Sequence, residues 1–331
     1  MVKPTTPAVA GRFSVIVPSF QQGEFLERTL QSVLGQGVDV EIIVQDGGST
    51  DQSVDILKRY ADRVQWESRA DEGQTTALND GLQKASGEYV CYLNSDDVLY
   101  PGALREVGEF FATHPEAAVV YGLADVIDDR DDTIAAYPVE PWNYARLRET
   151  CFICQPACFF RRSVLDRFGL FDPALHYAMD YEYWLRVGAV EPFHFLDKKL
   201  AATRHHGTAK TFCKSREAHH DIIFVLRRYH NGRIPPRWII AYARRCGEDR
   251  LREGGPLPLR WLKFVFSYWI HLLMLAPKVT RGGGKILLRK LGPPYPSACQ
   301  RVQDQLGYMK ESSQAAERRD KRVVDGGWSS V

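Results

Sequence analysis

The stretch Glu88–Asp97, EYVCYLNSDD, constrains this chain more than any other. Tyr89-Val90-Cys91-Tyr92-Leu93 has the β-branched and aromatic content of a buried strand, and it ends abruptly in Asn94-Ser95-Asp96-Asp97. Two adjacent carboxylates do not continue into a core without partners, because burying an unpaired charge is prohibitive. They belong at the carboxyl end of the strand, the edge where an open α/β sheet takes its ligands. A polar turn capping a helix after Pro101 is the plainer alternative.

The preceding segments have the same character. Phe13–Val17 reads as a buried strand that Pro18 stops, and Glu24 to about Gly35 has helical spacing through Phe25, Leu26, Leu30, Val33 and Leu34. Val40–Val44 is a second strand, ending at Gln45-Asp46-Gly47-Gly48-Ser49-Thr50-Asp51. A helix through Val54, Ile56, Leu57 and Tyr60, a short strand at Val64–Glu67 and a helix over Thr75–Ala85 lead to the strand that ends at Asp96. Such alternation predicts an α/β fold, a mainly parallel sheet with helices on both faces. Strand ends at Pro18, Asp46 and Asp96 then line up along one edge. Neither G-x-G-x-x-G nor G-x-x-x-x-G-K-[ST] occurs, which disfavours dehydrogenase and P-loop readings.

Charge divides the chain. Residues 1–211 carry 20 Lys/Arg against 31 Asp/Glu, and residues 212–331 carry 23 against 10. An acidic catalytic part and a basic part that meets an anionic surface follow from that asymmetry. Seven cysteines without a regular framework predict reduced thiols and a cytoplasmic setting. MVKPTTPAVAG lacks an apolar signal core, which disfavours secretion, and with its prolines and no apolar period residues 1–11 read as a disordered lead-in. Cys151, Cys154 and Cys158 lack a second ligand pair at zinc spacing and read as buried structural thiols.

Four ordered blocks carry a resemblance: SVIVPSFQQGEFLERTLQSVLGQ, EIIVQDGGSTD, DEGQTTALNDGLQKASGEYVCYLNSDD, and MDYEYWLR at 179–186. Together, over about residues 12–210, they resemble the GT-A glycosyltransferases of family 2. The resemblance implies a Rossmann-like GT-A domain over 12–211 and a nucleotide-sugar donor. In that family the first strand and its Pro loop, here Pro18, Ser19 and Phe20, hold the nucleotide. Asp46 would accept from the N3–H of uracil or thymine, a task for a pure acceptor; capping the helix of Ser49-Thr50-Asp51 through backbone amides is its alternative role.

The family's D-x-D is Asn94-Ser95-Asp96 here, followed by Asp97. An amide replaces the first carboxylate, leaving Asn94 and Ser95 as nucleotide contacts and Asp96 as the direct ligand of Mg²⁺ or Mn²⁺. Asp97 reads as a supporting contact or a helix cap. Gln155, in the apolar block Gln155–Arg162 that reads as a strand, is a candidate contact to a donor or acceptor hydroxyl. Met179-Asp180 stands where the family commonly has Glu-Asp, so the resemblance carries the base role to Asp180; Glu182 can simply pair with an Arg. Arg204–Thr211 is similar to a segment that closes over the donor diphosphate, which implies that Lys210 offsets phosphate charge and that His206 donates a hydrogen bond or ligates the metal. A surface loop is the alternative there. The acidic run Asp128–Asp132 reads as a solvated loop.

Beyond residue 212 the pattern is helical and basic to about 310, and residues 311–331 read as disordered. Trp261–Ala276 is apolar almost all round yet shorter than the ~20 residues a bilayer requires, so it is an interfacial helix or a buried one. The expected activity is inverting sugar transfer from a nucleotide sugar to a glycan or polyprenyl-diphosphate-linked acceptor at the cytoplasmic face of a membrane. No nucleic-acid partner is expected. A nucleotidyltransferase would need a Gly-rich basic loop that Pro18–Gln22 does not supply; a non-catalytic glycan or sugar-nucleotide binding module would account for the carboxylates missing at Asn94 and Met179.

Overall fold

The computed structural model describes residues 11–207, 215–252, 257–275, 277 and 279. The chain falls into two compact units, Met1–His206 and Gly207–Val331. In the first, β1 (Phe13–Ser19), α1 (Leu26–Leu34), β2 (Val40–Asp46), α2 (Ser53–Arg59), β3 (Gln65–Ser68), α3 (Gln74–Lys84) and β4 (Tyr89–Tyr92) alternate as the sequence predicts. The short β5 (Val98–Leu99), α4 (Ala103–Thr113), β6 (Val119–Ile127) and β7 (Thr133–Ala136) follow. Then come α5 (Tyr144–Leu147), β8 (Cys158–Arg161), α6 (Ser163–Phe168), α7 (Met179–Gly188) and β9 (Phe193–Arg204).

Nine strands form one sheet in the order β3-β2-β1-β4-β8-β6-β9-β5, with β7 on β6. The β3-β2-β1-β4 half is parallel throughout; β8 enters antiparallel to both β4 and β6. Strand β1 is buried along its whole length, as a central parallel strand covered on both faces must be. Phe13, Val15 and Val17 face the core that Leu26, Leu30, Leu104 and Phe111 share. Ile16, on the other face, packs so closely on α3 that a Cβ at Gly81 would fall 2.5 Å from its Cγ2. Helices therefore cover both faces, and chain order reverses between β1 and β4, the crevice where such sheets take ligands.

Two local readings are corrected. β1 runs through Pro18, with Pro18 opposite Gln45 and Ser19 opposite Asp46. The Ile16 carbonyl accepts from Leu93 N–H on the β4 side, so Pro18, two residues on, points its missing donor to the side where pairing with β4 has ended. No ladder bond is lost. The segment from Gln155 is not all strand: Gln155–Ala157 is a single 3₁₀ turn, with Pro156 in its first positions, and β8 begins only at Cys158.

The second unit contains α8 (Ser215–Tyr229), α9 (Pro236–Arg252) and α10 (Leu257–Leu275). Its core includes Ile223, Ile234, Ile239, Ala243, Tyr268 and Leu272. Among the described residues no helix is long and apolar enough to cross a membrane.

Candidate active site

The carboxyl ends of β1, β2 and β4 meet at the switch point, as the strand pattern requires. Asp46 is 2% exposed. Its carboxylate accepts from Gly48 N–H (3.2 Å), Ser49 N–H (2.8 Å), Ser49 Oγ (2.6 Å) and Ser68 Oγ (2.6 Å). These bonds fold the loop after β2 onto β3; α2 starts four residues beyond Ser49, so Asp46 pins a turn and caps no helix. The β1 loop is stitched to the same turn by Gln21, a residue that the sequence does not single out. Its φ of 53° is unusual for a side-chain-bearing residue. Its N–H donates to Ser49 Oγ, its Nε2 donates to Thr50 Oγ1, and its Oε1 accepts from Asp51 N–H.

Beside that turn Phe20 stands 59% exposed. A Cβ on Gly47 would lie 3.2 Å from the Phe20 ring and 3.1 Å from Asp71 Oδ2, so any larger residue there would press on both side chains. Ser19 lies beneath the surface, and its Oγ is buried without a hydrogen-bond partner.

Asn94 is the hub at the end of β4. Its Oδ1 accepts from Gln74 Nε2 at 2.7 Å; its Nδ2 donates to Asp97 Oδ2 at 3.1 Å and to Gln155 Oε1 at 3.2 Å. Gln155 Nε2 donates in turn to the Tyr92 carbonyl at 2.6 Å, which fixes the direction of its amide. A carboxylate at position 94 would meet two acceptors where the amide supplies hydrogens. Gln74 lies within DEGQTTALNDG, but nothing in its spacing announces this contact.

Asp96 and Asp97 part company. Asp97 is 2% exposed and accepts the Arg204 backbone N–H at 2.8 Å. Burial, then the neighbouring Asp96, pushes its carboxyl well up. α4 starts at Ala103 behind a left-handed Gly102 and takes no side-chain cap, so Asp97 is not that cap. Ser95, 3% exposed, gives its carbonyl to the Thr29 hydroxyl. Asp96 retains some exposure, and its Oδ2 lies 2.9 Å from Nε2 of His206, whose ring packs on Phe25 at 4.7 Å between centroids.

Arg204, with 1% of its side chain exposed, holds this loop from behind. Nε donates to the Asp96 carbonyl and Nη1 to the Asp128 carbonyl; Nη2 pairs with Asp131, and the guanidinium lies over Phe25. The acidic run 128–132 is the turn between β6 and β7, exposed from 129 to 132 as a solvated loop should be, and Asp131 with the Asp128 carbonyl ties it to Arg204. Its Asp131 also takes Arg28.

One carboxylate and one imidazole are fewer ligands than a divalent ion needs. Among the described residues no group of three or more His, Cys, Asp and Glu side chains converges. This donor set fits an ion that draws most of its ligands from diphosphate and water.

Asp180 occupies the first turn of α7, partly buried. Its Oδ1 accepts from Tyr181 N–H at 2.7 Å, and no cation pairs with it among the described residues. Burial raises its carboxyl to about 6. Glu182 differs: it is 1% exposed and bound at both oxygens by Arg186, which also donates to the carbonyls of Phe168 and Leu170. Pairing with an Arg is its role. Met179 is turned inward, its sulfur against the hydroxyl of Thr75, which donates to the Leu175 carbonyl at 2.7 Å. Cys154 and Cys158 are buried free thiols and Cys151 is half-buried, which bears out the structural reading. Lys210 lies outside the described residues.

The sheet, its switch point and its acidic edge define a GT-A glycosyltransferase fold. The model of the family described as "Glycosyl transferase family 2" matches residues 14–169, just under half of the chain. An uncharacterized glycosyltransferase of Nostoc sp. is 32% identical over 176 residues, 49% of this chain and 54% of its own length. A PGL/p-HBAD biosynthesis glycosyltransferase of Mycobacterium bovis is 29% identical over 187 residues, 54% of this chain and 70% of its own. An uncharacterized glycosyltransferase of Rickettsia felis is 25% identical over 209 residues, and the chain spans only 34% of its length. S. aureus TarS 1–349 in complex with UDP-GlcNAc shares the fold at a TM-score of 0.57, 17% identity and 92% coverage of both chains. The mannosyltransferase PcManGT of Pyrobaculum calidifontis, in complex with GDP-Man and Mn²⁺, does so at 0.52 and 14%, covering 94% of this chain and 88% of its own.

Proposed function

We propose that this chain is an inverting glycosyltransferase. In this reading it moves a sugar from a nucleotide sugar, UDP-linked, to a hydroxyl of a glycan or polyprenyl-diphosphate-linked acceptor in cell-surface polysaccharide synthesis. The observation that carries the reading is Asp180: a partly buried carboxylate raised to about 6, without a cation partner among the described residues, in the first turn of a helix. A base matched to near-neutral pH is what proton removal from an attacking hydroxyl requires.

The donor base lies on the Phe20 ring, whose exposed face suits stacking. Asp46 reads its N3–H when the rotatable hydroxyl of Ser49 or Ser68 turns aside. Asp96 and His206 would hold Mg²⁺ or Mn²⁺ at the diphosphate; such an ion offsets charge on the leaving group. Asn94, Asp97, Gln155 and Arg204 keep Asp96 in place. Asp180 takes the acceptor proton as the acceptor oxygen bonds to C1 and the bond from C1 to the diphosphate breaks, from opposite faces of the sugar. UDP is favoured by the fold's likeness to TarS with UDP-GlcNAc, and a divalent ion by its likeness to PcManGT with Mn²⁺.

Hydrolysis of UDP-, dTDP- and GDP-sugars without acceptor, with Mn²⁺ and with EDTA, tests this reading. It predicts free sugar and UDP from a UDP-sugar, only with the ion. Cleavage to a sugar phosphate would mark a nucleotidyltransferase, and binding without turnover a binding module.

A further inference from the structure

Helix α10 has two apolar faces. One faces inward: Tyr268 and Leu272 are buried in the second unit's core with Ile239 and Ala243 of α9, and Phe264 is buried with Leu251. On the other side Leu259, Leu262, Phe266, Ile270 and Leu273 recur at steps of three and four, which puts them on one stripe of the helix. They are 40% to 69% exposed, and Met274, at 67%, widens the stripe. Single exposed apolar residues need no explanation, but a contiguous run of them marks a surface that meets something.

Charge selects the occupant. Residues 254–303 contain eight Lys/Arg and no Asp or Glu. A second copy docked about a two-fold axis would set the stripe against itself and bring together two chains that each carry 23 Lys/Arg against 10 Asp/Glu over residues 212–331. That arrangement is repulsive. The same charge is attracted to an anionic lipid surface. A spanning role does not fit, because α10 spends half its circumference on protein contacts and falls short of a membrane span.

We propose that α10 is a one-sided membrane-docking helix. Leu259, Leu262, Phe266, Ile270 and Leu273 enter the boundary between headgroups and acyl chains of an anionic bilayer, while the opposite face stays packed in protein. Nineteen residues at ~1.5 Å each lay about 28 Å of helix in the plane of the interface. Docking is independent of the sugar-transfer reading and survives its failure.

The test is flotation of the full chain with phosphatidylcholine vesicles and with vesicles that contain phosphatidylglycerol, in low and high salt, with light scattering for oligomeric state. Partition should be on the order of 10-fold stronger onto the anionic vesicles and weaken in salt. The triple variant Leu262→Asn, Phe266→Asn, Leu273→Asn should lose it by a similar factor. Val190→Asn, an equally exposed apolar site outside the stripe at 64%, should not. If the triple variant melts early, Phe266→Asn alone gives the reading. Equal partition onto neutral vesicles overturns the proposal, as does wild-type partition by the stripe variants. So does a wild-type dimer that these variants dissociate without change in vesicle binding.

Discussion

Nε2 of His206 lies 2.9 Å from Oδ2 of Asp96, joining two residues 110 positions apart at one sheet edge. Asp97, next in the chain, is turned inward onto the Arg204 backbone. The pair assigns different losses to the two carboxylates. Asp96→Ala should abolish turnover and Mn²⁺-dependent UDP binding while leaving the thermal transition nearly unchanged. Asp97→Ala should lower stability by ~1–3 kcal/mol, because Arg204 N–H and Asn94 Nδ2 lose their acceptor, and keep some metal-dependent binding. Calorimetric titration of UDP with and without Mn²⁺, beside melting curves, separates them. Full wild-type activity in excess EDTA would contradict the metal assignment.

Restoring the family's first acid should do harm. In Asn94→Asp the new carboxylate faces Asp97 Oδ2 and Gln155 Oε1, which now receive hydrogens from Nδ2. We expect a loss on the order of 1–3 kcal/mol in chemical denaturation, with no tightening of Mn²⁺ binding. Higher affinity with unchanged stability would show that position 94 is a ligand position after all.

The contrast between what was legible and what was not has a physical basis. Buried parallel strands must be apolar on both faces, so β1, β2 and β4 stand out in the sequence, and with them the edge that carries Asp46 and Asp96. The family resemblance singles out Asp180, and an Arg partner is expected for Glu182; that partner is Arg186, four residues on. What failed to show were contacts between residues far apart in sequence. Gln155 reaches Asn94 across 61 positions and Arg204 reaches Asp96 across 108. Glutamines and arginines look alike in sequence whether they bind solvent or a loop. The 128–132 run is exposed as read, but the pairing of its Asp131 did not show for the same reason: Arg28 and Arg204 come from either end of the unit.

Asp180 should cost the protein stability. Its carboxyl is raised to about 6 from an ordinary 3.8, so between those values the folded chain holds more protons than the unfolded one. Stability therefore falls as pH rises through that window, and the full penalty stands above about 6. Asp180→Asn should raise the free energy of unfolding at neutral pH by on the order of 1 kcal/mol once its partial exposure is allowed for, and give no gain below about pH 4 in denaturant melts. An equal effect at both pH values would show that the ionised form is not penalised by the fold.

The central claim is that Asp180 takes the acceptor proton, and kcat of Asp180→Asn tests it most directly. The swap keeps size and helix position but cannot accept a proton, so kcat should fall by ~10²–10⁴-fold with donor affinity unchanged. In the wild type, kcat/KM should rise with pH through about 6 as the carboxylate forms. Glu182→Gln, which disturbs only the Arg186 lock, should retain kcat per folded molecule. Near wild-type kcat in Asp180→Asn, with activity lost in Glu182→Gln, would contradict the account.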